Sequence, residues 1–558
     1  MTPARWWFRL VDVLVVPAII VLLAWEPNAA HGFVDYFEAG QYLGPINRLL
    51  HGGVLYRDAP VFFGPLFYYV PLAAMKVFGA SLAVLRLHFE ALAILSIITA
   101  YGVAWLVCRD RFFRCLVPFL MLVEAYHPFW MMRWGGFRAG WAMLALAFMI
   151  RALRQGRPRD VLIAGAVSGV GLAYSLDVGI GLGITAAGVG AWSWMAKVAS
   201  LRCVTAALML YVAGYAVAFA PFLVHFALQN ALGDYLHVAF WLLPSHRQAW
   251  AQTYTPPSLL ALVQVVPLPR LFTSYVFKLY APALVYAGLL AAIAWTALRR
   301  RATAAFADLV PLAVYGTIAY ASAFRAVHGP QFQMALPMLI ILGAALLERG
   351  YHVVADGPGR WTDVRIGSRC AAAALLALFL AGAFIVTSEK RYYGSLWGWV
   401  VYQTRKADLA PFYAGPAAPP AHTLTRLAIE RGGGSRVPPL QAVEIDAVTR
   451  FLLTHTRPGE VVFGFPEYAA FNFFADRPAL GPFDIPGFAA AIPVWRRELL
   501  QTLEASPPRI VVMGRGVSTL ARPITGTDEL LPEVQAYLLR HYRPVQVFSR
   551  VMVMERIH

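Results

Sequence analysis

Residues 31–79 read HGFVDYFEAGQYLGPINRLLHGGVLYRDAPVFFGPLFYYVPLAAMKVFG. How this stretch sits decides the fold. It follows a first apolar segment, 7–25, and precedes a second, 82–107. It carries three acids, Asp35, Glu38 and Asp58, beside Arg48 and Arg57. Asp35 and Glu38 are three apart and share one helix face, which Gln41 and Tyr42 extend. Gly52-Gly53 is a break, and Asp58 comes after it, following Tyr56-Arg57. Pro65 to Gly79 is apolar enough to be read as a membrane span, or as a helix lying on the membrane surface.

Composition favours a membrane chain. Of 558 residues, 59% are hydrophobic and 14% charged, with mean hydropathy +0.58. A soluble chain carries about a quarter charged residues. Apolar runs of about 17–25 residues cross a bilayer. Such runs are expected at 7–25, 82–107, 112–131, 138–152, 160–176, 178–196, 203–223, 274–298, 303–323, 329–348 and 370–387, about eleven transmembrane helices. Basic clusters fall in alternate loops. Arg5 and Arg9 precede the first span. Arg109, Arg111 and Arg114 follow the second, and Arg151 to Arg159 the fourth. Lys197 and Arg202 follow the sixth, Arg299 to Arg301 the eighth, and Arg349 to Arg369 the tenth. The positive-inside bias then puts the N-terminus inside and the C-terminus outside. Counting 65–79 as a span would turn every later cluster outward. It is therefore expected to lie in the interface, and residues 26–80 to form one long outer loop. The formal net charge of +17 is explained by these loops, and no nucleic-acid-binding signature competes.

The four cysteines, Cys108, Cys115, Cys203 and Cys370, fall at expected inner helix ends, so no disulfide is predicted. The first apolar segment lacks a convincing cleavage site and reads as an anchor. Arginine outnumbers lysine 42 to 5, which suits a GC-rich bacterial source.

Acids and outward-facing cations are the candidate functional groups. Acids at a membrane boundary cost desolvation energy. Asp35 stands first as a general base, with Glu38 and Asp58 beside it, against the plainer reading that all three cap helices or pair with arginines. Asp177 sits in the turn between the fifth and sixth spans, where capping the next helix is the plain alternative. Arg138, Arg325 and His328 face outward, where the positive-inside bias does not explain them. An arginine there suits a lipid phosphate, or simply snorkels to headgroups. A second outer loop, 224–273, carries several histidines and aromatics, but its spacings fit no compact zinc pattern.

Residues 388–558 form an outer tail. Its first part, 388–440, reads as an irregular linker with Gly432-Gly433-Gly434. Residues 441–558 read as a small α/β domain, with helices at 441–456, 490–505 and 528–541 and strands at 460–465, 509–513 and 545–554. It shows no phosphate loop, nucleophile elbow or metal-ligand cluster, which favours a capping or acceptor-handling role over a catalytic one.

The chain resembles the GT-C superfamily of integral-membrane glycosyltransferases, in the bacterial branch related to protein O-mannosyltransferases and the lipid A aminoarabinose transferase. The resemblance rests on an ordered series. Asp35 comes first, then Leu49-Leu50-His51-Gly52-Gly53, Tyr56-Arg57-Asp58, Pro65-Leu66-Phe67-Tyr68-Tyr69, Phe78-Gly79 and Leu85-Arg86-Leu87, with Phe324-Arg325 to His328 and Pro337 late in the chain. It departs from relatives at three places. Tyr36, not an acid, follows Asp35. Phe63-Gly64-Pro65-Leu66 lacks a donor-binding lysine. Asp177 stands where a lysine is common.

The resemblance implies a GT-C-like membrane domain, 1–387, with two juxtamembrane helices in the first outer loop. It implies sugar transfer from a polyprenyl-phosphate donor to a glycolipid, polysaccharide or protein acceptor at the outer face of a bacterial inner membrane. Asp35, with Glu38, would be catalytic, and inversion is expected. Arg57, Asp58, Arg138, Asp177, Arg325 and His328 would bind substrate or phosphate. The resemblance fixes no cofactor, and since metal-dependent relatives exist it leaves a divalent ion near Asp35 and Glu38 open. A transporter or lipid flippase is the first alternative, but no inverted repeat is evident and the acids gather at one face. An O-antigen polymerase or ligase is the second, though those place their large loop late in the chain.

Overall fold

The computed structural model describes residues 10–125, 137–242, 275–299, 304–323, 329–356, 396–409, 420–516, 518, 521, 525 and 529–557. Arg325, His328 and the expected span at 370–387 lie outside the described residues.

The helices fall where the apolar pattern put them. α1 is Val11–Ala24. α2 is Tyr36–Leu50, α3 Pro65–Phe78, α4 Leu82–Val107 and α5 Arg111–Leu120. α6 is Arg138–Gln155, α7 Pro158–Tyr174, α8 Leu176–Met195 and α9 Leu201–Leu228. α10 is Tyr275–Arg299, α11 Val310–Ala323, α12 Gly329–Asp356 and α13 Leu396–Arg405. Among the described residues, five segments are long and apolar enough to cross a membrane, in α4, α8, α9, α10 and α12. Local chemistry sets the boundaries. Ser81 accepts the Val84 N–H at 3.3 Å to start α4, and Ser200 does the same for Cys203 to start α9. Proline opens α3 and α7. α7 and α9 meet backbone to backbone: Gly165 lies against the Tyr211 carbonyl and Gly214 against that of Leu162, so neither site has room for a side chain.

The loop between the first two expected spans holds two helices, α2 and α3. At 14 residues α3 is about 21 Å long, short of the roughly 30 Å apolar core of a bilayer. It packs on α2, α4 and α7, and its tip leaves Val77 and Phe78 exposed.

The tail is a four-stranded sheet with flanking helices. β1 (Thr425–Arg426) and β2 (Arg436–Val437) form a small antiparallel ladder before it. β3 (Val462–Phe465), β4 (Ile510–Gly514), β5 (Tyr542–Val547) and β6 (Val551–Arg556) make the sheet, ordered β3-β4-β6-β5. Only β3 and β4 are parallel, joined through helix Pro493–Ala505. Helix α14, Pro439–His455, precedes β3. The structure differs from expectation at three places. The single last strand at 545–554 is a hairpin, because Phe548 to Arg550 turn the chain and Phe548 N–H bonds Val551 at 2.8 Å. Helix Ala469–Phe474 was not foreseen; it is buried on all sides, so no periodicity marks it. The stretch expected to be irregular carries α13 and the β1–β2 ladder, and Gly433, at φ +61°, packs on Ser81 at the start of α4.

One hydrophobic core joins the tail to the outer loop. Leu43 and Ile46 of α2 share it with Ile445, Phe463, Phe471 and Val511. A second core lies among α4, α5, α6 and α12. At the top of α1, Glu26 is buried. It accepts the Tyr402 hydroxyl at 2.5 Å, and its N–H donates to Glu90 at 2.9 Å. Burial pushes its carboxyl from 4.5 up to about 7, while the Tyr402 hydroxyl and Lys406 pull it back. The folded chain therefore binds the Glu26 proton more tightly than the unfolded chain. That contribution is complete below the unfolded value and is lost as pH rises through the folded one. Thermal midpoints should fall from about pH 5 to about pH 8, and Glu26→Gln should flatten that fall. An unchanged slope in the variant would assign the pH response elsewhere.

Candidate active site

Asp35 caps α2. Its Oδ1 accepts the Glu38 N–H at 3.2 Å, and its backbone is extended at φ −80°, ψ 111°. The residues on either side of it are clamped. Val34 exchanges two bonds with the Gln441 side chain of α14, at 2.9 and 2.6 Å. The Tyr36 hydroxyl donates to Glu444, also on α14, at 2.8 Å. Glu444 accepts the Arg550 N–H at 2.7 Å with its other oxygen, which ties in the tail hairpin. From below, Arg86 of α4 donates to the carbonyls of Ala30 at 3.0 Å and Phe33 at 2.9 Å. Arg86 is 5% exposed, so these backbone oxygens must compensate its buried charge. Asp35 itself is only half-buried. The result is a partly open carboxylate on a rigid mount.

Glu38 is buried, one turn into α2, and accepts from Gln41 at 3.2 Å. Tyr42 lies one turn further. Its hydroxyl is held protonated far above the usual tyrosine range, first by burial and then by the charge of Glu38. Arg138 acts on it in the opposite sense. Tyr42 thus feels the charges of both Glu38 and Arg138.

Arg138 and Asp177 form a tight ion pair between the starts of α6 and α8. Asp177 also accepts from the Ser175 hydroxyl at 2.5 Å and the Val178 N–H at 3.0 Å, within the first turn of α8, whose N-cap is Ser175. The Arg138 guanidinium lies 5.8 Å from the Phe63 ring. Phe63 is brought there because Gly64 sits against the Ala173 carbonyl and donates to Tyr174 O at 3.1 Å. A side chain at position 64 would push the loop off the α7–α8 turn. The cavity beside this pair, about 50 Å³, is bounded by Arg138, Asp177, Tyr315 and Met338.

Arg57 and Asp58 are elsewhere. Arg57 forks onto Asp58 at 3.0 and 2.9 Å and reaches the Gln229 carbonyl at 3.0 Å. That arginine holds the Asp58 carboxyl below its usual range. The two line a separate open cleft of about 440 Å³ between α2 and the tail, with Arg48, His51 and the buried Asp484. Arg48 and Asp484 pair across it at 2.8 Å. This cleft shares no lining residue with the Arg138 cavity. Asp35 and Glu38 line neither space, Arg57 and Asp58 lie at the open cleft, and Arg138 and Asp177 lie at the small cavity.

Among the described residues, Asp35 and Glu38 meet no third ligand at metal-binding distance. The group that does cluster is Asp110, Glu348 and His352, beyond the far end of α4. Sequence reading missed Gln441 and Glu444, which lie about 400 residues from the loop they hold and carry no local signal. Arg86 did carry one, as a charge inside an apolar span.

By sequence, no family model and no curated protein matches the chain. Solved structures do. ArnT from Cupriavidus metallidurans, bound to undecaprenyl phosphate, aligns over 98% of both chains at 14% identity and TM-score 0.54. Its apo form aligns over 99% of this chain and 98% of its own, at 15% identity and TM-score 0.52. The Archaeoglobus fulgidus oligosaccharyltransferase, in complex with zinc and sulfate, aligns over 96% of this chain and 72% of its own, at 15% identity and TM-score 0.51. The chain shares the fold of these proteins over nearly its whole length, and at the level of fold the resemblance read from the sequence holds.

Proposed function

We propose that this protein is a membrane glycosyltransferase that moves a sugar from a polyprenyl-phosphate donor to an acceptor at the outer face of a bacterial inner membrane. The observation that carries the reading is the rigid mount of Asp35 at the head of α2, in a fold shared along its whole length with a protein captured with undecaprenyl phosphate. The alternating arginine clusters support an inner N-terminus and an outer tail. With α2 and α3 on the outer surface, the acids face a prenyl-linked sugar at the water boundary.

In this mechanism Asp35 takes the proton from the acceptor hydroxyl. The hydroxyl oxygen attacks the anomeric carbon from the face opposite the phosphate, and the C–O bond to phosphate breaks with its electron pair. The configuration inverts. The leaving group is already a phosphate and needs cationic stabilisation rather than a strong acid. Arg138, at the head of α6, is our candidate for that cation among the described residues, and Arg325 and His328 are further candidates by sequence.

The test is incubation of the purified full chain with labelled polyprenyl-phosphate hexoses and pentoses and an extract of envelope glycolipids. Label should move from the donor to the acceptor fraction, and polyprenyl phosphate should accumulate in step. If donor crosses sealed proteoliposomes without being cleaved, the protein is a transporter and the transferase reading fails.

A further inference from the structure

The β1–β2 ladder places two arginines directly opposite each other: Arg426 pairs with Arg436 in the antiparallel register. Like charges in that position destabilise a ladder, and this ladder is only two residues long. Neither guanidinium makes an ion pair among the described residues. The residues between the two strands, 427–435, read LAIERGGGS and hold one acid, Glu430, which does not line the cleft beside the arginines.

The arginines border an open cleft of about 510 Å³ with His31, His422 and Asn28, and no carboxylate lines it. Each wall has a separate origin. Asn28 donates to the carbonyls of Ala407 and Leu409 at 2.8 Å each, which fastens the tail entry to the outer loop. His31 Nδ1 accepts the Arg436 N–H at 3.2 Å. In the neutral ring the proton therefore sits on Nε2, leaving a donor there. Arg426 lies over Gly434, whose φ of +77° bends the hairpin. The cleft thus offers guanidinium and imidazole donors and no fixed counter-charge.

Its height in the molecule is fixed by α1. Asn28 comes four residues after the last residue of that apolar helix. Lys406, next to Ala407 in the cleft wall, donates to the Leu22 carbonyl of α1 at 2.8 Å. A cationic recess at the end of an apolar helix lies at headgroup depth.

We infer that this cleft, formed by Arg426, Arg436, His31 and His422, binds the phosphate of an anionic membrane lipid at the outer surface. It is separate from the cavity beside Arg138 and shares no residue with it. The inference does not depend on the transferase reading. The anion relieves the repulsion across the ladder and fastens the tail that clamps Asp35.

The experiment is thermal unfolding of the full chain in detergent micelles, with added phosphatidylglycerol, phosphatidylcholine or inorganic phosphate. Phosphatidylglycerol should raise the midpoint and phosphatidylcholine should not, since binding to the folded state stabilises it by mass action. Arg426→Gln should weaken the phosphatidylglycerol response about tenfold in concentration, and Arg426→Lys should restore part of it. Without lipid, Arg426→Gln should unfold no earlier than wild type, because it removes a repulsion. A full phosphatidylglycerol response in Arg426→Gln would overturn the site. An equal response to inorganic phosphate would overturn the lipid as its occupant.

Discussion

Asp35→Asn should abolish sugar transfer and leave the fold unchanged. Both halves of that expectation come from one position. Asparagine caps helices about as well as aspartate, so the bond from the Glu38 N–H at 3.2 Å survives the change. The clamps on Val34 and Tyr36 do not involve the Asp35 side chain. What the amide loses is the capacity to take a proton. A positioned general base contributes about 10²- to 10⁴-fold, and turnover should fall by that much. Asp35→Ala separates the two roles. It should lose the same turnover and also about 1 kcal/mol of stability, because the cap goes too. The measurements are labelled-donor turnover and the thermal midpoint of each variant. Wild-type turnover in Asp35→Asn would make Asp35 a cap and nothing more.

This variant matters because the structure gives some weight to the plainer readings of the acids. Asp35 caps its helix and Asp58 pairs with Arg57, as the sequence allowed, whereas Asp177 lies inside the first turn of α8, which Ser175 begins, and pairs with Arg138. The apolar periods of α4, α8 and α9 were legible because a bilayer imposes length and composition on each span separately. The arginine alternation was legible for a similar reason, since each loop answers to the membrane alone. The two helices of the outer loop were legible through Gly52-Gly53 and Pro65, which punctuate the chain locally. What could not be read were pairings. Nothing near Gln441 points to Val34, and nothing near Arg138 selects Asp177 over Asp58. Such contacts follow from the packing of whole helices. The hairpin of β5 and β6 was missed because polar residues at a tight turn resemble an outward face of a longer strand.

Arg138 and Asp177 supply the second test, in which stability and activity should part company. Their side chains are 12% and 21% exposed, so removing one partner strands a charge in a poorly solvated site. Arg138→Met or Asp177→Asn alone should each destabilise the chain, by about 3–5 kcal/mol at the upper end for a buried pair. The double variant leaves no stranded charge and should recover much of that loss. If the pair is only a strut between α6 and α8, activity should recover with stability. If Arg138 stabilises the departing phosphate, the double variant should fold well and still transfer poorly, because its cation is gone. Asp177→Asn should then behave differently from Arg138→Met. It keeps the guanidinium, and the amide oxygen can still accept from Ser175 and Val178. With its carboxylate partner neutralised, Arg138 is more available to phosphate, so donor KM should fall or hold while stability drops. Arg138→Met should instead raise donor KM and lower kcat together, since the charge serves the bound donor and more strongly the leaving group. Parallel rescue of stability and turnover in the double variant would remove Arg138 from the chemistry and leave donor phosphate to cations outside this pair.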